Sequence, residues 1–268
     1  SYGFLIRGKE ASLAYTGDFR MHGPRRDMTE EFVRLCEEER PDLFITEGTN
    51  FAEASSLSEE EVLNRAAEVA RSTEGLLMVA TSPRDVDRLR TYFQIASLES
   101  KKVILPCKLF LMLNWLMDRD PVLSSSLKEV GNAEISVYVK TKTEEKLLDQ
   151  EFPSISVISD LKLMSRGELE ESVLFSFEDF VHDLSKAPLP PGTTAIFSHS
   201  EPVDEESQVE FEKIVNWLCF MGIPSYRIHS SGHVYPSQLR AIVRRIKPKE
   251  LLVIHSEHPE AMRKFLIS

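Results

Sequence analysis

Residues 76–117 read LLMVATSPRDVDRLRTYFQIASLESKKVILPCKLFLMLNWLM and alternate between two hydrophobic patterns. Residues 76–81 and 103–105 form short apolar runs, which are typical of buried β-strands. Residues 85–96 and 109–117 follow these runs and repeat apolar side chains at helical spacing. Short strands that alternate with helices predict an α/β fold with a mostly parallel sheet flanked by helices.

The same alternation extends towards both ends of the chain. Upstream, residues 3–16 alternate apolar and polar side chains, which predicts a β-hairpin followed by a tight turn at Gly17 and Asp18. A strand at 43–46 and a helix near 58–75 lead into the central stretch. Six further strands are expected near 135–139, 155–159, 173–177, 194–198, 226–229 and 251–255. Helices are expected after Asp204 and around Leu239.

The composition is that of an ordinary globular protein. With 268 residues, 42% of them hydrophobic, the chain can bury a sizeable core in one large domain or two interleaved domains. Its formal net charge of -11 argues against a protein that coats duplex nucleic acid through an overall positive field. Any binding to nucleic acid must therefore depend on local basic clusters.

The cysteines and the apolar runs limit the cellular setting. Cys36, Cys107 and Cys219 show no C-x-x-C spacing, which argues against a disulfide framework and against a thiolate zinc site. We expect a reducing, cytoplasmic location. No apolar run approaches the roughly 20 residues that span a bilayer, so no membrane segment is expected.

Four segments place reactive side chains where a predicted strand ends. Asp18 and Glu47 each follow a strand, and the segments HSSGH at 229–233 and VIHSEH at 253–258 carry histidines on either side of one helix. Strand ends of open α/β sheets are where reactive groups converge. Histidines in such positions suit metal ligation or proton transfer.

Serine and arginine residues near these strand ends predict a path for phosphate groups. Consecutive backbone N–H groups and hydroxyls in the HSSGH segment can form an anion-binding nest, and a helix follows it. Two arginines at a helix start are better phosphate ligands than the face formed by Arg240, Arg244 and Arg245, which we expect to be solvated. The predicted phosphate-binding residues are Arg84, Arg88, Ser198, Ser200, His229, Ser231 and Gly232.

Each of these features also has an ordinary structural interpretation. A single histidine at a strand end is commonly a satisfied polar group, and a turn carboxylate commonly caps a turn or a helix. Residues 198–200 can likewise cap the helix after Asp204. Taken singly, the features are therefore weak.

Taken together and in this order, the four segments resemble the metallo-β-lactamase/β-CASP nucleases of the RNase J-like and archaeal RNA-processing exonuclease type. The resemblance spans essentially the whole chain, and ATSPRDVDR at 80–88 resembles an archaeal subgroup. It implies a partial metallo-β-lactamase αββα domain built from residues 1–54 and 223–268. Residues 55–222 would form an inserted β-CASP α/β domain.

The resemblance also implies roles for individual residues. Asp18 corresponds to an aspartate that bridges two metal ions, and His255 corresponds to a histidine metal ligand. The implied catalytic residues are Asp18, Glu47 and His233, and Glu47 would orient the His233 ring. The implied cofactors are two zinc ions, with manganese or magnesium as alternatives. The implied partner is single-stranded RNA, with DNA as an alternative, and a homodimer is a further option.

One departure from the family pattern concerns the metal ligands. Family members carry a His-x-His-x-Asp-His run upstream of the matching segment, and none of the seven histidines of this chain reproduces it. Two explanations are open: the sequence is a fragment of a longer enzyme, or it is a natural variant without the metal site. Because it opens with Ser1 and reads like the middle of a domain, we expect an N-terminal truncation that is inactive, with metal absent or incompletely bound.

The expected function is zinc-dependent phosphodiester hydrolysis of single-stranded RNA, in RNA processing or degradation. One alternative is a metal-free nucleic-acid-binding or scaffolding subunit of an RNA-processing complex, and another is a DNA nuclease of the same family. The sequence argues against a nucleotide-binding α/β protein because neither G-x-G-x-x-G nor G-x-x-x-x-G-K-[ST] occurs in it.

Overall fold

The computed structural model describes residues 2–51, 57–128, 133–202 and 204–268. The strands are β1 (Phe4–Arg7), β2 (Ser12–Tyr15), β3 (Leu43–Glu47), β4 (Leu77–Ala80), β5 (Lys102–Pro106), β6 (Ile135–Tyr138), β7 (Ser156–Ile158), β8 (Ser172–Phe175), β9 (Thr194–Phe197), β10 (Ser225–Arg227) and β11 (Glu250–Ile254). The helices are α1 (Arg26–Glu39), α2 (Glu59–Ser72), α3 (Val86–Leu98), α4 (Cys107–Arg119), α5 (Pro121–Lys128), α6 (Lys142–Glu151), α7 (Arg166–Glu170), α8 (Val181–Leu184), α9 (Glu205–Phe220), α10 (Pro236–Ile246) and α11 (Pro259–Ile267). Two short 3-10 helices are Leu161–Leu163 and Phe177–Phe180.

The chain divides into two compact units. Unit 1 contains Ser1–Glu59 and Ser230–Ser268, and unit 2 contains Glu60–His229. The predicted boundary at 54/55 falls outside the described residues. The second division lies a few residues beyond the predicted boundary at 222/223.

Unit 1 is a four-stranded sheet in the order β1-β2-β3-β11. The first two strands form the predicted antiparallel hairpin, in which Phe4 pairs with Tyr15. The pairs β2–β3 and β3–β11 are parallel. One face of the sheet packs its apolar side chains, including Ala14, Phe44 and Val253, into a core with residues of α1, α10 and α11.

The opposite face of this sheet also carries apolar side chains. Phe4, Tyr15, Ile45 and Leu252 form a row across all four strands, as the strand register shows. Phe4 is 52% exposed and Leu252 is 46% exposed. A sheet that is apolar on both faces normally has a further layer on each.

Unit 2 is a seven-stranded sheet in the order β10-β9-β4-β8-β5-β6-β7, and all its pairings are parallel. The interior strand β4, which lies between β9 and β8, is completely buried. Met78 and Ala80 belong to the core cluster on one face, while Leu77 and Val79 are also inaccessible. Burial on both faces explains why β4 reads as a continuous apolar run. The predicted α/β class, mostly parallel and flanked by helices, is confirmed.

Several predicted elements are found with small shifts of their ends. Asp204 caps α9 by accepting a hydrogen bond from the backbone N of Ser207, and Asp85 caps α3 through the N of Arg88. The strand predicted at 226–229 is shorter, since β10 ends at Arg227. Sequence reasoning missed α1, whose buried residues are Val33 and Cys36. Among the described residues, no helix has both the length and the apolar character that crossing a membrane requires.

Candidate active site

The polar segments of unit 1 meet at the carboxyl ends of its parallel strands. Asp18 follows β2, Glu47 is the last residue of β3, and His255 directly follows β11. Because parallel strands end at the same sheet edge, side chains far apart in sequence are brought together there. The fourth segment supplies His233, which lies in the loop before α10.

A buried carboxylate holds the His233 ring. Glu47 is 1% exposed, and its Oε2 lies 2.7 Å from His233 Nδ1. Its other oxygen, Oε1, accepts a hydrogen bond from the backbone N of Phe19 at 3.0 Å. With Nδ1 donating to Glu47, the proton of the neutral imidazole is on Nδ1, and Nε2 is the basic nitrogen. Glu47 thus fixes both the ring and the turn that carries Asp18.

Asp18 and His255 also meet, although 237 positions separate them in sequence. Asp18 Oδ1 lies 3.2 Å from His255 Nδ1. Both side chains remain accessible, with 44% and 63% of their side-chain surface exposed. His255 has a φ of 49°, which is rare for a residue other than glycine. An imidazole and a carboxylate are therefore presented together to solvent at the strand ends.

The donor atoms of Asp18, Glu47 and His233 all lie within 4.8 Å of one another. Two carboxylate oxygens and an imidazole nitrogen are a donor set that zinc accepts, and a catalytic zinc takes about three protein ligands. The residues therefore fit one divalent cation. This set differs from the predicted ligand pair, Asp18 and His255. It lacks His255 and includes Glu47 and His233, for which catalytic roles were predicted.

The predicted phosphate-binding residues of unit 1 lie in the loop before α10. Ser231 Oγ lies 2.9 Å from Asn50 Nδ2 and accepts a hydrogen bond from the backbone N of His233 at 3.2 Å. Its carbonyl oxygen lies 2.7 Å from His22 Nε2. The space around Gly232 is open, since a Cβ built there would meet nothing within 4 Å.

In unit 2, three of the predicted phosphate-binding residues form one cluster. Arg88 Nη1 lies 2.9 Å from Ser198 O, 2.7 Å from Ser198 Oγ and 3.3 Å from His229 Nδ1. Ser198 Oγ donates in turn to the carbonyl of Ile228 at 2.6 Å. The cluster links the start of α3 to the ends of β9 and β10.

Burial separates the residues to which a phosphate-binding role was assigned in unit 2. Arg88 is completely buried and Ser198 is 1% exposed, whereas Arg84 and Ser200 are exposed. Side chains with almost no accessible surface cannot contact a phosphate directly, so any influence of Arg88 or Ser198 on a ligand must pass through the partly exposed His229. Sequence reasoning could not separate the two arginines because both lie at the start of the same helix.

Two residues that contact the His233 loop were not predicted, namely His22 and Asn50. Asn50 could have been identified from the sequence by its position three residues after Glu47, in the turn that follows the same strand. His22 stacks on Tyr235, with ring centroids 4.6 Å apart. Burial lowers the pKa of His22, although its hydrogen bond to the Ser231 carbonyl opposes that shift.

The lowered pKa of His22 predicts a loss of stability in acid. An unfolded histidine takes up a proton below about pH 6.5, but folded His22 does so only at lower pH, so the free energy of unfolding falls as the pH drops through that range. The slope is at most about 1.4 kcal/mol per pH unit. In urea unfolding of the chain between pH 5 and 7.5, we expect His22→Gln to lose less stability towards acid than the wild type.

His199 supplies a control of opposite sign. A hydrogen bond that His199 donates to the Glu178 carboxylate raises the pKa of His199. The contribution of His199 to stability is therefore complete below the unfolded pKa and is lost as the pH rises through the folded pKa. His199→Gln should therefore lose more stability towards acid than the wild type. Equal pH slopes for all three proteins would contradict both assignments.

Comparison with solved structures supports the class of fold. A crystal structure of a protein of unknown function from Enterococcus faecalis V583 superimposes with a TM-score of 0.66 at 20% sequence identity. The match covers 96% of this chain and 56% of that chain. At this identity the likeness shows the fold alone.

The sequence is similar to proteins named ribonuclease J. It is 24% identical over 266 residues to that of Sinorhizobium meliloti, covering 94% of this chain and 43% of the relative. It is 24% identical over 264 residues to that of Thermus thermophilus, covering 95% and 43%. For that of Mycolicibacterium smegmatis, the identity is 23% over 223 residues, covering 80% and 36%. The chain thus spans less than half the length of these curated relatives.

No family model matches the chain. The comparisons therefore relate it to RNase J-like proteins at low identity, along nearly its whole length.

Proposed function

We propose that this chain carries part of the active site of a zinc-dependent phosphodiester hydrolase that acts on single-stranded RNA. The observation that carries the proposal is the buried Glu47–His233 pair at 2.7 Å beside the Asp18 carboxylate. The similarity to ribonuclease J supports RNA as the substrate class. The reaction would serve RNA processing or degradation, and we expect it in the cytoplasm.

The residues divide into ligands and proton-transfer groups. Asp18 and His255, which lie at accessible strand ends, would hold the metal. Zinc, when bound, supplies activation of a water molecule at neutral pH. Glu47 keeps the proton of neutral His233 on Nδ1, so Nε2 is the nitrogen that would exchange a proton with the phosphodiester, protonating its leaving oxygen. The exposed residues Arg84 and Ser200 would contact backbone phosphates of the RNA.

We further propose that unit 1 is the C-terminal portion of a metallo-β-lactamase domain and that unit 2 is the inserted β-CASP domain. The exposed apolar row from Phe4 to Leu252 supports the first assignment, because that sheet face suits a second sheet layer. Such a layer would also be the place for the histidine run that this chain lacks.

A metal-free nucleic-acid-binding subunit is the second candidate. It is favoured by the direct pairing within the site, in which Glu47 contacts His233 and Asp18 contacts His255. Zinc analysis of the protein expressed from its complete coding sequence separates the two candidates. An enzyme retains zinc and hydrolyses RNA, whereas the alternative does neither.

Recognition led by phosphate groups predicts a strong salt dependence of binding. For single strands, log K falls with log salt with a slope of about -0.7 for each phosphate that is neutralised. We expect Arg84→Ala to reduce the magnitude of this slope by about 0.7, measured by fluorescence anisotropy with labelled single-stranded RNA. Arg166→Ala, which removes an exposed arginine paired with Glu170, should leave the slope unchanged. Binding that barely weakens with salt would contradict this account.

A further inference from the structure

The turn at 48–50, directly after β3, contacts the two histidine segments of unit 1. Its first residue has no room for a side chain. A Cβ on Gly48 would lie 2.7 Å from Val253 Cγ1 and 3.2 Å from Ser256 Cβ. The turn therefore lies against the end of β11, one residue after the buried carboxylate of Glu47. This close approach brings the next two residues within reach of both histidines.

Asn50 holds the backbone around His233 at two points. Its Nδ2 donates to the carbonyl oxygen of His233 at 2.8 Å and lies 2.9 Å from Ser231 Oγ. Ser231 Oγ in turn accepts a hydrogen bond from the backbone N of His233 at 3.2 Å. The amide group of Asn50 thus reaches the carbonyl of His233 directly and its N–H through one hydroxyl.

The chemistry of this contact is specific to a side-chain amide. Asn50 is 5% exposed, so its NH₂ donors depend on protein acceptors. An aspartate has the same shape but only acceptor oxygens, and it would place a negative charge against the His233 carbonyl. If Asn50 only filled space, the protein would tolerate Asn50→Asp. If the Asn50 NH₂ group must donate hydrogen bonds, the change would displace the His233 loop.

Thr49 makes the corresponding contact to the other histidine. Its Oγ1 donates to the carbonyl oxygen of His255 at 3.2 Å. His255 is the residue with a φ of 49°, a conformation that needs support from its surroundings. The hydrogen bond from Thr49 fixes the peptide unit that follows this conformation.

We propose that the turn at 48–50 is the positioning element of the candidate active site. Asn50 sets the backbone of His233, Thr49 sets the backbone of His255, and Glu47 sets the ring of His233. The catalytic consequence rests on the proposed function, but the positioning itself is a property of this chain.

The test is a double comparison by NMR. The chain is labelled with ¹⁵N-histidine, and each signal is assigned by a His→Gln replacement. At fixed pH, Asn50→Asp should shift the backbone and ring signals of His233 while those of His255 stay in place. Thr49→Val, which removes only the hydroxyl, should shift the signals of His255 and not those of His233. Asn216→Ala, which removes an exposed amide on α9, should shift neither.

The NMR comparison can support or overturn the proposal. Unchanged His233 signals in folded Asn50→Asp would overturn the proposal, and so would equal shifts of both histidines in each variant. If Asn50→Asp does not fold, Ser231→Ala serves in its place. It removes the hydroxyl that joins Asn50 Nδ2 to the backbone N of His233 but keeps the direct hydrogen bond from Asn50 to the His233 carbonyl. It should give a smaller shift confined to His233, and no shift would overturn the proposal.

A kinetic measurement addresses the consequence for the reaction. In the protein expressed from its complete coding sequence, Asn50→Asp should lower kcat on the order of 100-fold, as expected for a misplaced group, with KM changed much less. A comparable rise in KM would contradict the positioning role. If the wild type cleaves no RNA, the proposed function fails, while the NMR comparison still tests the positioning.

Discussion

Replacing His233 by alanine in the protein expressed from its complete coding sequence is expected to abolish most of its turnover while zinc stays bound. A positioned acid or base typically contributes about 10²–10⁴-fold, so kcat for hydrolysis of single-stranded RNA should fall by that factor. The reason is the Glu47–His233 hydrogen bond at 2.7 Å, which keeps the proton of neutral His233 on Nδ1 and leaves Nε2 to exchange a proton with the substrate. Turnover is measured with end-labelled RNA, and zinc by elemental analysis.

The zinc measurement decides between two roles for His233. Its ring nitrogen lies close enough to Asp18 and Glu47 to act as a ligand. Loss of zinc in His233→Ala would show that it is a ligand and would refute the role in proton transfer. Glu47→Gln is the companion variant, because its amide oxygen can still accept from Phe19 N while the charge beside His233 is gone. His182→Ala removes an exposed histidine of unit 2 and should change neither quantity.

The second large effect concerns stability and the two arginines at the start of α3. Arg88→Ala should lower the free energy of unfolding by about 2–5 kcal/mol, because it leaves two buried oxygen atoms of Ser198 without their donor, at a cost of about 1–3 kcal/mol each. Ser198 would lose its contacts at 2.7 and 2.9 Å with the guanidinium, and His229 its contact at 3.3 Å. Urea unfolding of the chain, followed by circular dichroism, measures the change.

Arg84→Ala is the matched control for this measurement. Arg84 lies four residues before Arg88 but is exposed, so its removal should change the free energy of unfolding by less than about 0.5 kcal/mol. Its expected effect is on the salt dependence of RNA binding. A loss below about 1 kcal/mol for Arg88→Ala, or equal losses for both variants, would contradict the division into a buried structural arginine and an exposed one.

Much of the fold could be predicted because local patterns are strong in it. The strands β3, β4, β5 and β9 each contain a run of at least three apolar residues. Asp85 and Asp204 mark helix starts with carboxylates that cap backbone N–H groups. The helix α1 was missed because its sequence is mostly charged. The order of the strands was also beyond prediction, since β8 inserts between β4 and β5 through pairings of residues distant in sequence.

In the candidate site, too, local sequence patterns identified some residues, whereas contacts between distant positions could not be predicted. Strand ends identified Asp18, Glu47, His233 and His255, and the structure brings Glu47 to His233 and Asp18 to His255. Sequence could not show that Arg88 is buried, because burial depends on how α3 packs. Nor could it show that Asn50 reaches the His233 loop, since that contact joins positions 181 to 183 apart.

We proposed above that Asp18 and His255 hold catalytic zinc together. The most direct test is zinc stoichiometry in the protein expressed from its complete coding sequence, for the wild type and for Asp18→Asn. We expect about two zinc ions per wild-type chain, as in two-metal hydrolases, and a clear loss of zinc in the variant. A wild-type protein that binds no zinc, or an Asp18→Asn variant that binds as much as the wild type, would contradict it.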